Sequence, residues 1–223
     1  MAKLVFTRSI SKASTSKTAA LIALFVSAPA LAHNGGDYFS FANSGGELLS
    51  GFLAGITHPL TGIDHLMMLI GVGLIAASYK QSKQRSTSYG LLFGALFCML
   101  LGLGIGLLSA SDTGADLAGG IEQMILASVF VAASTAVVAA SNKSGRGRRI
   151  FALLSVASTT MLIFHGWVHG LEASSASLMV FAPGMLLSAS LLSGLGYQLG
   201  RVVTPKWQGA LLGASGVLLA ITG

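Results

Sequence analysis

Apolar residues come in long unbroken runs along this chain, not in the alternation of a half-buried strand or the one-sided stripe of a surface helix. Six runs, at about 60–79, 88–109, 118–140, 150–170, 176–199 and 206–222, approach the roughly 20 residues that carry a helix across a 30 Å hydrocarbon core. The pattern predicts an all-α fold, a polytopic membrane bundle with six transmembrane helices. The stretch Glu47 to Thr57 is apolar but too short to cross, and is expected as an interfacial or re-entrant piece ahead of the first span.

The polar residues between the runs set an orientation. Residues 1–32 carry Lys3, Arg8, Lys12 and Lys17 and no acid, then the apolar stretch Thr18 to Ala28, then Ala30-Leu31-Ala32. This is the layout of a secretory signal peptide with cleavage before His33, leaving 33–223 as the transmembrane domain. Loops rich in Lys and Arg stay in the cytoplasm. Lys80, Lys83 and Arg85, then Lys143, Arg146, Arg148 and Arg149, then Arg201 and Lys206 occupy alternate connections, whereas Asp37, Glu47, Asp112, Asp116 and Glu172 fall in the others. Six spans with a periplasmic N-terminus satisfy that alternation, in the inner membrane of a bacterium; five or seven do not.

Composition narrows the function. The 223 residues are 53% hydrophobic and 9% charged, with mean hydropathy +0.77; a soluble domain is roughly a quarter charged. The formal charge of +6 sits in the loop clusters, so it marks topology and not a nucleic-acid surface. Cys98 is the single cysteine, which rules out a disulfide framework or a thiolate cage within one chain. The 29 glycines include Gly90/Gly94, Gly102/Gly104/Gly106 and Gly194/Gly196, expected as faces where helices approach closely. A phosphate-binding loop of the G-x-x-x-x-G-K-[ST] kind is missing, so the chain does not drive transport by hydrolysis on its own.

Chemistry concentrates in two clusters, both expected near periplasmic helix ends. The first is His58-Pro59-Leu60-Thr61-Gly62-Ile63-Asp64-His65. If a helix begins at Pro59, His58 and His65 lie seven apart on one face. Asp64 then binds metal directly, orients an imidazole, or closes a capping box with Thr61. The second is His165-Gly166-Trp167-Val168-His169-Gly170-Leu171-Glu172, in which His165, His169 and Glu172 project from one face. Buried ionisable groups in a bilayer cost several kcal/mol unless they line a cavity or find partners. Imidazole and carboxylate suit nickel, cobalt, zinc or iron. The candidate metal ligands are therefore His58, Asp64, His65, His165, His169 and Glu172. Glu122 and His33 stand as further candidates, Trp167 as an interfacial anchor, and Met67, Met68 and Met161 as apolar fill.

His58-Pro59, Gly62, Asp64-His65, Met68 and Val72-Gly73, with His165-Gly166, His169-Gly170 and Glu172, resemble the HupE/UreJ family of nickel and cobalt permeases over essentially the whole mature chain. The resemblance implies a secondary transporter taking up Ni2+ or Co2+ for hydrogenase or urease maturation, with these positions as metal-site residues. Its expected partners are the ion as substrate and the lipid bilayer, with no nucleic acid and no prosthetic group. Whether copies form a homo-oligomer stays open. Two rival readings of the residues are an intramembrane zinc-dependent hydrolase, with Glu172 or Asp64 as general base, and a periplasmic metal sensor or assembly subunit. One departure from the family is that His33 alone follows the expected cleavage point, without additional histidines.

Overall fold

The computed structural model describes residues 46–81, 84–109, 114–141, 145–172 and 175–222. The expected leader, His33 and Asp37 lie outside them. Among the described residues every element is helical: α1 (Gly46–Thr61), α2 (Ile63–Gln81), α3 (Arg85–Ser109), α4 (Gly114–Ser141), α5 (Gly145–Thr160), α6 (Leu162–Glu172), α7 (Ser175–Leu199) and α8 (Pro205–Thr222).

Each predicted apolar run falls on helix, but not each is one membrane-crossing helix. Four stretches are long and apolar enough to cross by themselves: Arg85–Ser109, Gly119–Ala140, Gly145–Leu171 and Leu178–Leu199. Leu48–Thr61 and Ile63–Tyr79 pass only together, as a pair bent by 77°. The short stretch ahead of the first span is thus a helix in its own right, α1, which turns away from α2 at the bend and packs on α7, Gly55 against Phe181 and Met185. Helix α8 opens on Lys206, Trp207 and Gln208, which leaves a short apolar remainder.

The 77° bend falls where the sequence weakens the helix twice. Pro59 lacks an N–H and its ring crowds the carbonyl four residues back. Gly62 then follows, outside regular helix, its carbonyl accepting the Leu66 N–H at 2.9 Å to open α2. A milder break at Met161 divides α5 from α6. It comes after Ser158, Thr159 and Thr160, whose hydroxyls donate to the carbonyls of Leu154, Ser155 and Val156, and the Phe164 N–H closes a tight turn onto Met161 O at 3.1 Å.

Helix α2 occupies the centre. Met67 through Ala77 are all buried, so this helix is enclosed on every side, as its nearly unbroken apolar sequence requires. Around it, helices approach at glycines. A side chain at Gly73 would run into the backbone of Ser193, Gly196 and Tyr197, and one at Gly196 into Ile70, so α2 and α7 run parallel. Gly102 and Gly106 meet the backbone of α6 at Ile163, Trp167 and Gly170, and Gly166 and Gly170 meet α3 at Met99, Leu103 and Leu107, again in parallel. Gly209 and Gly216 of α8 meet Val137 and Phe130 of α4, an antiparallel pair. Of the expected glycine faces, Gly102, Gly106 and Gly196 are close-packed, but Gly90, Gly104 and Gly194 meet nothing within 4 Å.

Large apolar side chains left exposed fall on outward faces, as Phe93, Phe97, Leu101 and Leu108 do along α3. Such a surface is excluded from water and suited to hydrocarbon. Arg85, Arg146, Arg148, Arg149, Arg201 and Lys206 are exposed, at helix ends that meet on one side of the bundle. There a cavity is lined by Tyr79, Thr87, Ala139, Arg148, Phe151 and Pro205 from five different helices.

Candidate metal centre

Two helix breaks and one enclosed helix bring the histidines together. His58 ends α1, Asp64 and His65 open α2 across the bend, and His165 and His169 project from α6. His58 and His65 do not lie on one continuous helix starting at Pro59, as the spacing suggested, because Pro59 sits inside the last turn of α1. The bend replaces helical periodicity: it turns the two rings toward each other, with centroids 5.2 Å apart.

His65 is the hub. Its ring lies 4.8 Å from those of both His165 and His169, its Nε2 is 2.7 Å from His169 Nε2, and its Nδ1 is 3.0 Å from Asp64 Oδ1, an ion-pair distance without hydrogen-bond alignment. His58 packs edge-on to His169 at 4.2 Å. His65, His165 and His169 are buried, His165 completely. His58 Nε2, His65 Nδ1 and His165 Nδ1 are buried without a hydrogen-bond partner. A buried polar atom left unpaired costs about 1–3 kcal/mol, so three in one pocket mark a place where an electrophile would be welcome.

The donor set fits a transition-metal ion. His58, His65 and His169 bring ligand atoms within 4.8 Å of one another, and so do Asp64, His65 and His165. An ion with bonds of about 2 Å holds its ligands at most about 4 Å apart. Each trio therefore needs to close by less than about one ångström.

The capping-box alternative for Asp64 does not form. The Thr61 hydroxyl donates backward, to Thr57 O and His58 O at 3.3 and 3.1 Å, and the carboxylate faces His65. Gly62 makes room for this, since a Cβ there would come within 3.0 Å of both Asp64 Oδ1 and His65 Nδ1.

The other candidates are placed as follows among the described residues. Glu122 is exposed on α4, off the face that carries the buried Ile121, Ile125 and Ser128. Glu172 closes α6, and its side chain lies outside the described part of the structure. Met67 and Met68 are buried core, Met161 is the half-buried break residue, and Trp167 stacks with Phe164, ring planes 5° apart.

Two neighbours carried no mark in the sequence. Ser128 of α4 is fully buried, donates to Ile125 O at 2.5 Å, and has its Oγ 3.0 Å from His165 Nε2. Phe181 of α7 covers His58 and His169, at centroid distances of 5.7 and 6.0 Å. Serine and phenylalanine are ordinary within apolar runs, so only contact reveals their part. Ser128 also gauges depth: it stands at the midpoint of α4, so His165 lies well inside the bundle, deeper than the helix-end position expected from the sequence.

No curated protein and no solved structure matches the chain. The profile described as HupE / UreJ protein matches residues 21–223, which takes in both histidine clusters and every described helix. The chain belongs to the HupE / UreJ family.

Proposed function

We propose that this protein is a secondary permease that carries Ni2+, with Co2+ as the related substrate, inward across a bacterial inner membrane to supply metalloenzyme maturation. Family membership makes it a multi-pass membrane protein concerned with nickel or cobalt transport. The observation that carries the finer reading is the pocket of four imidazoles and one carboxylate enclosed by apolar helices, three of its ring nitrogens unpartnered. Borderline nitrogen ligands with an added carboxylate match late first-row divalent ions.

Six crossings are supported by the packing directions. Starting from α2, strict alternation makes α2 and α7 parallel, α3 and α5–α6 parallel, and α4 and α8 antiparallel, as the glycine contacts have them. The exposed basic residues then gather on the cytoplasmic side, and α6 runs outward toward the periplasm. A divalent ion moving inward gains about 4.6 kcal/mol per 100 mV, twice the single-charge value.

Uptake of radioactive nickel into proteoliposomes holding the purified chain tests the reading. His65→Ala and His169→Ala are each expected to lower uptake by about tenfold or more, the scale on which metal-site changes act. Wild-type rates in both variants would defeat the proposal, as would metal-dependent amide or lipid turnover without flux.

A further inference from the structure

The five converging groups divide into two sets joined by one residue. His58, His65 and His169 make one, and Asp64, His65 and His165 make the other. His65 enters them by opposite edges of its ring: Nε2 turns to His169 at 2.7 Å and Nδ1 to Asp64 at 3.0 Å. The two nitrogens of an imidazole direct their lone pairs away from each other, so one ion cannot take both. The sets are also staggered in depth, because His169 follows His165 by one turn of α6, about 6 Å along the axis.

Resting on the permease reading above, we propose that the pocket is two successive ion positions, an outer one of three imidazoles and an inner one with a carboxylate, and that His65 hands the ion between them, its one ring proton leaving Nδ1 and returning at the Nε2 that the ion vacates, relayed by water shed from the hydrated ion. The outer position is electrically neutral apart from the ion. The inner one adds the carboxylate of Asp64, which draws a dication one step deeper. Ser128 prepares the inner position. Its hydroxyl proton is committed to Ile125 O, so it accepts from His165 Nε2–H at 3.0 Å and leaves the unpartnered His165 Nδ1 as the ligand atom. Two dications on opposite edges of one ring would repel strongly in a low-dielectric interior. The positions therefore fill alternately.

Equilibrium dialysis of the purified full chain with radioactive Ni2+, paired with proteoliposome uptake, tests this. The wild type is expected to hold one ion. His58→Gln and His165→Gln, each sparing one position, keep nickel affinity within about threefold yet lose most uptake, whereas His65→Gln loses affinity by about tenfold or more. Thermal unfolding without metal identifies any variant that fails to fold. In that case Asp64→Asn, which preserves shape, takes the place of His165→Gln, with the same expectation. Tenfold affinity losses in both single-position variants would overturn the handover in favour of one composite site. Two ions bound together with equal affinity to the wild type would overturn alternation. A wild type that binds and moves neither Ni2+ nor Co2+ would instead remove the permease reading itself.

Discussion

Gly62 and Ser128 contribute no ligand atom to the pocket, yet both decide its shape. A side chain at Gly62 would press on Asp64 Oδ1 and His65 Nδ1 together, so Gly62→Val should weaken nickel binding by about tenfold or more. Gly104, which meets nothing within 4 Å, serves as the matched control, and Gly104→Val should bind as the wild type does. Ser128→Ala removes the acceptor for His165 Nε2–H and frees the ring to turn. Its expected effect follows that of losing the inner position: nickel affinity stays within about threefold, held by the outer position, whereas uptake falls by about tenfold. Protons compete for the same nitrogens, because imidazole binds metal only when neutral. Nickel affinity measured by dialysis should therefore fall as pH is lowered, and recover on return.

Helix contacts, not the ligands themselves, fix how far apart the ligand-bearing segments stand. Gly102 and Gly106 on α3 and Gly166 and Gly170 on α6 face each other backbone to backbone, and the α6 pair flanks His165 and His169 in sequence. Bulk at Gly166 would push α6 off α3 and carry both histidines with it. Gly166→Leu should lower stability by about 1–3 kcal/mol, the usual cost of overpacking, and should abolish uptake. Thermal unfolding in detergent reads the first effect, and Gly90→Leu, in open space, should leave it unmoved. The bend between α1 and α2 has the complementary role. It places His58 beside His65 by changing direction, where a straight helix would have separated the rings by the rise of seven residues, about 10 Å.

For the whole molecule, the proposed permease takes from the membrane both its solvent and its driving force. The proposed topology puts Arg85, Arg146 and Arg201 on the cytoplasmic side, so Arg146→Cys in a Cys98→Ser background should react with an impermeant thiol reagent only from that side. Labelling from the periplasm would break the six-span alternation. Charge makes transport electrogenic. An inside-negative potential of 100 mV favours accumulation of a dication by about three decades at equilibrium. Imposing that potential on proteoliposomes with a potassium gradient and ionophore should accelerate nickel uptake, and reversing it should slow uptake.

The sequence by itself determined the all-helical class, the position of the apolar runs to within a few residues and the identity of the histidine and aspartate cluster. Runs of apolar residues and paired histidines in a bilayer are constrained by solvent alone, so they can be read locally. It also carried the family, through motifs matched across residues 21–223. What it misjudged were features set by contact between distant segments. The helix was expected to start at Pro59, but α1 continues to Thr61 and bends there; one long run proved to be α5 and α6, divided at Met161. Gly90, Gly104 and Gly194 looked like packing faces until the neighbours were known. Tertiary structure alone decided that His65 would be the hub, that Ser128 and Phe181 would border it, and that the pocket would sit deep in the bundle. The reason is physical: periodicity fixes which way a side chain points on its own helix, but the distance between His65 and His169, 104 residues apart, depends on where glycines let whole helices touch.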